Sequence, residues 1–199
     1  MARSIVRFIR EKSNSIGLLG LIRLEVEGWL FALIGWIPGM TGFILRHALL
    51  KLLAGRVAGF TWIQPRVTIV HTGRLSVGTC LGVNSGTYIN AIGTITLGSY
   101  VLIGSNVTIS SGRHPIDGKT PPIFSRKTIP LPIVIEDDVW IGAGAVIMPG
   151  VTLRKGTVVG ANAVVTGSTE EFAVVVGAPA RQIKTRGGDV MPDPEARRS

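Results

Sequence analysis

The sequence predicts an all-β solenoid: short strands wound into coils, preceded by an apolar helical segment and closed by a short C-terminal cap. Three observations predict it. Aliphatic residues recur every six positions over most of the chain, glycine supplies 26 of 199 residues, and one stretch, residues 111–132, interrupts the rhythm. A period of six fits neither an α-helix nor a long strand, whereas short strands joined by tight turns fit it.

The N-terminal region, residues 1–66, begins with an amphipathic pattern. In MARSIVRFIREKSNSIG the apolar residues fall on one helical face and the arginines largely on the other: Ile5, Phe8, Ile9 against Arg3, Arg7, Arg10. A basic amphipathic helix of this kind can lie in a bilayer interface. The region holds nine Lys/Arg and three Asp/Glu, 9 − 3 = +6 of the net +9, which favours an anionic membrane surface over nucleic acid.

An uncharged run follows over residues 28–45, with Pro38-Gly39 in its middle. Because proline breaks a helix, we expect a bent hairpin embedded in the interface at the cytoplasmic face of the plasma membrane. Its expected contacts are tryptophans at headgroup level and cations facing lipid phosphates: Trp29, Trp36, Trp62, Arg46, His47, Lys51, Arg56. The alternatives are a helical cap packed on the protein or on a neighbouring subunit, and a single span. The lone Cys80 forbids an internal disulfide and is expected to be a small buried side chain.

The repeat divides into two columns of residues expected to point inward. One runs Val77, Val83, Ile89, Ile95, Val101, Val107 and resumes as Ile135, Ile141, Ile147, Leu153, Val159, Val165. Its companion runs Leu97, Ile103, Ile109, then Val139, Ala145, Val151, Thr157, Ala163, Thr169. Three strands, one from each of three hexapeptides, are then expected to make one coil. Small residues permit close turns that a Cβ would hinder: Gly98, Gly104, Gly142, Gly144, Gly160.

Residues 67–186 resemble the hexapeptide-repeat acyltransferases, and within them the galactoside, maltose and polysaccharide O-acetyltransferases. The likeness lies in GRHPID (112–117), IVIEDDVWIGAGAVIMPGVTL (133–153), VVGANAVVT (158–166) and VVGAPARQIK (175–184). The resemblance implies a left-handed parallel β-helix, a homotrimer, acetyl-CoA as co-substrate and no metal. Residues 187–199 are expected to form a flexible tail.

The interruption at 111–132 carries five prolines and should leave the solenoid as a loop, with His114 at its root. An imidazole titrates close to neutral pH, so it can accept the proton of an attacking hydroxyl and return it to a leaving thiolate. The resemblance assigns His114 this catalytic role. It also implies a substrate contact at Asn90, and Asp117 and Trp140 are further candidates for substrate contacts. Asp117 could instead orient His114 or cap the loop, and Trp140 could simply cover the coil exterior.

The resemblance further implies coenzyme A contacts. Backbone groups at Ala143 and Ala161 would pair with the pantetheine arm, Thr166 would join them, and Arg181 and Lys184 would meet the nucleotide phosphates.

We therefore expect acetyl transfer to a sugar hydroxyl of a surface glycan, glycolipid or lipid-linked precursor. The alternatives are a soluble acceptor (serine, an amino sugar nucleotide or an antibiotic) and a non-catalytic β-helix binding protein. A zinc hydrolase needs three converging histidines, and only His71 and His114 lie in the repeat.

Overall fold

A computed structural model describes the backbone of residues 2–188 and the side chains of residues 17–188. Two helices open the chain, α1 (Ala2–Gly35), which is kinked at Gly17, and α2 (Gly39–Leu53). The expected break is confirmed, because α2 begins directly after Pro38, whose backbone is extended. The expected side-chain faces of residues 1–16 and most of the expected tail, residues 189–199, lie outside the described residues. None of the described helices is both long and apolar enough to cross a bilayer.

Nineteen short strands follow. In chain order they are β1 (Arg56–Val57), β2 (Thr61–Ile63), β3 (Thr68–Val70), β4 (Leu75–Val77), β5 (Leu81–Val83), β6 (Tyr88–Asn90), β7 (Ile95–Leu97), β8 (Leu102–Ile103), β9 (Thr108–Ser110), β10 (Gly112–Arg113), β11 (Ile129–Pro130), β12 (Ile133–Ile135), β13 (Trp140–Ile141), β14 (Val146–Ile147), β15 (Thr152–Leu153), β16 (Val158–Val159), β17 (Val164–Val165), β18 (Ala173–Val176) and β19 (Arg181–Thr185).

The strands stack into three parallel faces, which confirms the parallel β-helix. The first face has the order β1-β4-β7-β12-β15 and the third β3-β6-β9-β14-β17. The second face runs β2-β5-β8-β13-β16-β18 and ends in β19, which pairs antiparallel with β18 as the C-terminal cap. Within the three faces each strand pairs with a strand of a neighbouring coil, so only the two ends of the stack need covering.

The coils are not uniform. In the later part of the stack Val134 pairs with Thr152, which is the spacing of three hexapeptides. In the early part Thr61 pairs with Leu81, so the coil between them is longer by two residues. The expected coil of three hexapeptides therefore holds only from β12–β14 to β15–β17, since Val158 pairs with Val174 and the last coil is two residues shorter. The two additional residues lie between β3 and β4 and again between β6 and β7, at the edge where the third face meets the first.

The extra residues shift the two columns against each other. Val77 pairs with Leu97, Val83 with Ile103 and Ile89 with Ile109, so the first column up to Ile89 is continued by the companion column, while Ile95 takes the position of Leu75. Both columns are buried throughout all the same, because alternate residues of a strand point the same way. The residues predicted to form the core are therefore correct, although the predicted coil length is not.

The solenoid also begins earlier than residue 67. Arg56 pairs with Ser76 and Thr61 with Leu81, so β1 and β2 already belong to the stack. Ile69, Ile63 and Val57 are also six residues apart, but eight residues separate Ile69 from Val77, and the apolar helical sequence next to them masks the rhythm.

The helical hairpin caps the first coil with its inner side. The Glu27 carboxylate is 1% exposed and accepts hydrogen bonds from Thr72 Oγ1 (2.7 Å), the Thr72 N–H (3.3 Å) and Arg23 Nε (2.8 Å). The Phe43 ring stacks on Trp62 of β2 with centroids 4.0 Å apart. The interpretation as a packed cap is thus correct for this side of the hairpin.

Arg46 and His47 do not face outward as expected. Arg46 is fully buried and donates to the carbonyls of Ile63 (2.8 Å), Ile37 (2.7 Å) and Ile34 (3.2 Å), tying the helical turn to the first coil. His47 is half-buried against Thr61. The sequence predicts that Arg46 faces lipid because it is a cation in an apolar segment. In the structure its N–H groups instead satisfy backbone carbonyls at the helical turn and in β2.

Lys51 and Arg56 are exposed, as the membrane prediction requires. Cys80, expected to be buried, is exposed at a turn where its backbone has φ 56. The corner position between two strands decides this, since the adjacent inward positions belong to Val77 and Leu81.

Candidate active site

The interruption leaves the solenoid as a hairpin arm, residues 111–132. Strand β10 pairs antiparallel with β11 through Gly112 with Pro130 and Arg113 with Ile129. The stack continues beneath it, because β7 pairs directly with β12 on either side of the insertion. The arm therefore projects from the edge between the third and first faces without breaking the coil-to-coil hydrogen bonds.

One side chain organises the arm. Arg126 donates through Nε to the Pro121 carbonyl (2.8 Å), through Nη1 to the Asp117 (2.6 Å) and Pro115 (3.2 Å) carbonyls, and through Nη2 to the Gly118 carbonyl (2.9 Å). A guanidinium has five donors in a fixed plane, so it can hold several carbonyls of one loop together. Sequence reasoning missed Arg126, because a single arginine among prolines forms no pattern.

His114 follows β10 directly and is exposed. No hydrogen bond joins its ring to any residue that the structure describes. The Asp117 carboxylate is likewise exposed and makes no ion pair with His114 within the described chain, and its carbonyl serves Arg126. The arm thus presents an imidazole whose two nitrogens can meet a ligand.

The edge below the arm carries two further expected site residues. Asn90 at the end of β6 pairs with Ser110 at the end of β9. The same register places Met148 beside Ser110 and Thr166 beside Met148, so these residues form one row along the edge. The Asn90 carbonyl accepts from Ser111 N (3.0 Å) and Oγ (3.0 Å), and its Oδ1 accepts from Ile92 N (3.2 Å). Asn90 is therefore locked to the root of the arm, with its amide nitrogen directed to no described residue.

The coenzyme A candidates lie in three places: Thr166 in the row of Asn90, Ala143, Ala161 and Arg181 at a second edge, and Lys184 on the second face. Ala143 and Ala161 stack at the edge between the second and third faces, where Asn162 N donates to the Ala143 carbonyl (2.8 Å). Both alanines are exposed, and neither of their N–H groups has a backbone partner within residues 2–188. Arg181 lies at the start of β19, close to the same edge, since the neighbouring Ala180 N–H donates to Val164 (2.8 Å).

The two remaining candidates, Trp140 and Lys184, lie on the second face. Trp140 is 52% exposed between Leu102 and Val158, and Lys184 pairs with Val174. Within one chain, the width of the third face therefore separates His114 and Asn90 from Ala143 and Ala161. A site that needs both groups is completed by another copy or by a ligand reaching across that face.

The stacked hexapeptide coils define the class of protein, a parallel β-helix built from hexapeptide repeats. The family profile "Bacterial transferase hexapeptide (six repeats)" matches residues 132–167. The galactoside O-acetyltransferase of Escherichia coli is 33% identical over 142 residues, 70% of this chain and 68% of that protein. The chain therefore belongs to the hexapeptide-repeat acyltransferase family.

Two further similarities extend this result. A Vibrio cholerae hexapeptide-repeat acetyltransferase, solved in complex with acetyl coenzyme A, superposes with a TM-score of 0.73 at 30% identity, covering 82% of this chain and 87% of that one. A chloramphenicol acetyltransferase of Agrobacterium fabrum is 36% identical over 111 residues, 48% of this chain and 53% of that protein. Among such relatives, the chain spans from 44% to 84% of their length.

Proposed function

We propose that the protein is an acetyl-CoA-dependent O-acetyltransferase acting on a sugar hydroxyl of a surface glycan, glycolipid or lipid-linked precursor. The observation that carries the proposal is the exposed His114 on its braced arm, whose root at Ser111 is hydrogen-bonded to Asn90 in the row that ends at Thr166. The similarity to a galactoside O-acetyltransferase and to an enzyme that holds acetyl coenzyme A supports the reaction type.

His114 acts as general base in direct transfer. Its neutral nitrogen takes the proton of the sugar hydroxyl as the oxygen attacks the thioester carbonyl. The C–S bond then breaks, and the imidazolium returns the proton to the leaving thiolate of coenzyme A. In this mechanism the Asn90 amide and the Asp117 carboxylate hold acceptor hydroxyls, and no acyl-enzyme is needed.

Coenzyme A lies along the solenoid, with the N–H groups of Ala143 and Ala161 donating to its pantetheine carbonyls. Thr166 adds a hydroxyl from the edge that carries Asn90, and Arg181 and Lys184 carry the charge that meets the phosphates. Trp140 walls the acyl end. Because His114 and the two alanines occupy different edges, we propose a homotrimer in which each site joins the arm of one chain to the groove of its neighbour.

The outer side of the helical hairpin is proposed to rest on an anionic bilayer. It exposes an apolar stripe at helical spacing, with exposures of 48–83%: Leu18, Leu19, Ile22, Val26, Trp29, Leu33, Trp36, Met40, Ile44. Continuous apolar surface of this extent requires a partner, and the exposed Lys51 and Arg56 add the charge that anionic lipid attracts. Three copies would place three stripes at one end of the trimer and multiply a weak affinity.

The catalytic proposal is tested with His114→Ala in a thiol-release assay with acetyl-CoA and a panel of galactosides, maltosides, serine and chloramphenicol. Turnover should fall by about 10²–10⁴-fold, the usual contribution of general base catalysis. Lys119→Ala, on the same arm and exposed, is the matched control and should retain activity. Undiminished turnover in a folded His114→Ala protein contradicts the proposal, and exclusive use of chloramphenicol or serine selects the soluble-acceptor alternative.

The membrane proposal is tested by vesicle flotation. Deleting the whole hairpin would be uninformative, because it would also remove the Glu27 and Arg46 contacts that cap the first coil. Leu19→Glu with Leu33→Glu changes only the exposed stripe and should abolish binding to phosphatidylglycerol vesicles, whereas Leu102→Glu on the second face should not. Equal flotation of both proteins contradicts the proposal.

A further inference from the structure

Two adjoining cavities lie where helix α1, the early coils and the arm meet. One, of about 270 Å³, is lined by residues that include Arg23, Glu27, His71, Arg74 and Ile92. The other, of about 280 Å³, lies beside Gly93 and Thr94 beneath Pro130 and Pro132 of the arm. Both are open to solvent, and Arg74 lines both of them, so its side chain lies at their common border.

The cavities exist because of the longer coils. Thr72–Arg74 forms a short 3-10 helix within the first two-residue addition, and His71 adopts a left-handed turn just before it. Ile92 and Gly93 lie within the second addition, one coil further on. A stack of uniform coils, each made of three hexapeptides, would lack both additions, so the departures from the regular repeat are what build this surface.

The balance of charge in the first cavity is positive. The Glu27 carboxylate is already engaged by Thr72 and by Arg23 Nε. Arg23 donates through Nη2 to the Leu53 carbonyl (2.6 Å), and Arg74 donates through Nη1 to the Ile92 carbonyl. The remaining donors, Nη1 of Arg23 and Nε and Nη2 of Arg74, make no hydrogen bond with a described residue. Both arginines thus keep donors for a ligand, and the guanidinium fork suits phosphate oxygens.

The cavities are close to the proposed catalytic base. Ile92 donates its N–H to Asn90, and a Cβ added to Gly112 would lie 2.5 Å from Ile92 Cγ2, so the root of the arm is in contact with Ile92. His114 follows Gly112 by two residues, a span of roughly 7 Å at most. A ligand held by Arg74 can therefore present a neighbouring sugar ring to His114.

We infer, on the basis of the proposed function, that Arg74 and Arg23 form a subsite for a phosphate ester on the acceptor, so that the substrate is a glycosyl phosphate. The location of Arg23 agrees with this inference. It belongs to the helix that carries the apolar stripe, and its guanidinium donates to the Leu53 carbonyl and to Glu27 on the side that faces the first coil.

The test measures binding of inorganic pyrophosphate by calorimetry to the full-length protein saturated with coenzyme A, which fills the phosphate contacts expected at Arg181 and Lys184. Arg74→Gln should weaken binding at least tenfold. Arg74→Lys keeps the charge without the guanidinium fork, so its affinity should lie between those of the wild-type protein and Arg74→Gln. Arg66→Gln is the matched control, since Arg66 is exposed at a different edge of the first coil and its removal costs the same charge. Equal affinity of Arg74→Gln and Arg66→Gln, or no binding to the wild-type protein, overturns the inference.

A second part of the experiment identifies the source of the phosphate. Glucose 1-phosphate is compared with phosphatidylcholine vesicles that carry a polyprenyl phosphate, and stronger Arg74-dependent binding to the vesicles indicates a lipid-linked acceptor. Arg74-dependent binding only to glucose 1-phosphate indicates a soluble glycosyl phosphate and still supports the subsite. His114→Ala should bind pyrophosphate normally, so a failure of the catalytic proposal remains separate from a failure of this one.

Discussion

Replacing Gly142 with alanine should destabilise the solenoid at the edge that carries the coenzyme A candidates. A Cβ at this position would lie 2.6 Å from the Ala161 nitrogen and 2.8 Å from the Gly160 carbonyl carbon. The φ angle of Gly142 lies outside the left-handed region, so the cost is steric and not conformational. Both obstructing atoms are backbone atoms of the next coil, and neither can rotate away.

The magnitude follows from that geometry. Ordinary contact begins near 3.4 Å, so the two coils must separate by 3.4 − 2.6 = 0.8 Å at this corner. Overpacking of this kind costs about 1–3 kcal/mol. For a chain of this size, 1 kcal/mol lowers the melting temperature by roughly 2–4 °C, which gives a decrease of roughly 2–12 °C. Displacing the Ala161 N–H should also raise the KM for acetyl-CoA.

Gly167→Ala provides the matched control. Gly167 is exposed, its φ is also outside the left-handed region, and an added Cβ would meet nothing within 4 Å. This substitution should be neutral or should stabilise by about 0.4–1 kcal/mol, through the loss of unfolded-state freedom. Thermal unfolding followed by circular dichroism compares the two variants. Equal melting temperatures would show that the spacing between coils is not set by the missing Cβ, and would refute the reasoning.

Three further outcomes are expected. Arg126→Gln should make the arm more sensitive to limited proteolysis and lower kcat while leaving the melting temperature nearly unchanged, whereas the adjacent, exposed Lys127→Gln should do neither. Burial, together with the charge of a nearby lysine, lowers the pKa of His47, whose Nδ1 accepts from the Thr61 N–H (3.2 Å). The urea midpoint should therefore be constant above about pH 6.5 and decrease as the pH falls through the lower folded-state pKa, and His47→Asn should flatten this dependence. Thr72→Val removes the hydroxyl donor of a buried carboxylate and should cost about 1.5–3 kcal/mol in urea unfolding.

The core could be predicted from the sequence because it depends only on spacing. Strand periodicity buries every second residue, so both inward columns were identified correctly although the coil length was not. The glycines of the tight turns follow in the same way. At Gly98, Gly104 and Gly160 an added Cβ would lie within 3.0 Å of an atom of a neighbouring coil or strand, as the close-turn interpretation requires.

The N-terminal region could not be predicted to the same depth. A helix pattern indicates which residues are apolar, but it does not show which carbonyls lack partners after the chain turns at Pro38. Arg46 is buried because the ends of two helical segments and β2 converge on it. This convergence arises only in the tertiary structure, so the sequence pattern does not show it. Its burial also lowers the pKa of the guanidinium, so the hairpin and the first coil together hold a cation away from water.

The location of the candidate site follows from where the repeat departs from regularity. A perfect hexapeptide solenoid offers three flat faces and no concave surface. In this chain the two-residue additions and the 111–132 arm all emerge at the edge between the third and first faces, where Asn90 is locked to the root of the arm. Because the irregularities are concentrated at one edge, that edge has depth, charge and a titratable side chain. The regular edge at Ala143 and Ala161 keeps the close spacing between coils, along which an extended ligand such as pantetheine can lie. The two kinds of edge therefore suit the two substrates of a transfer reaction.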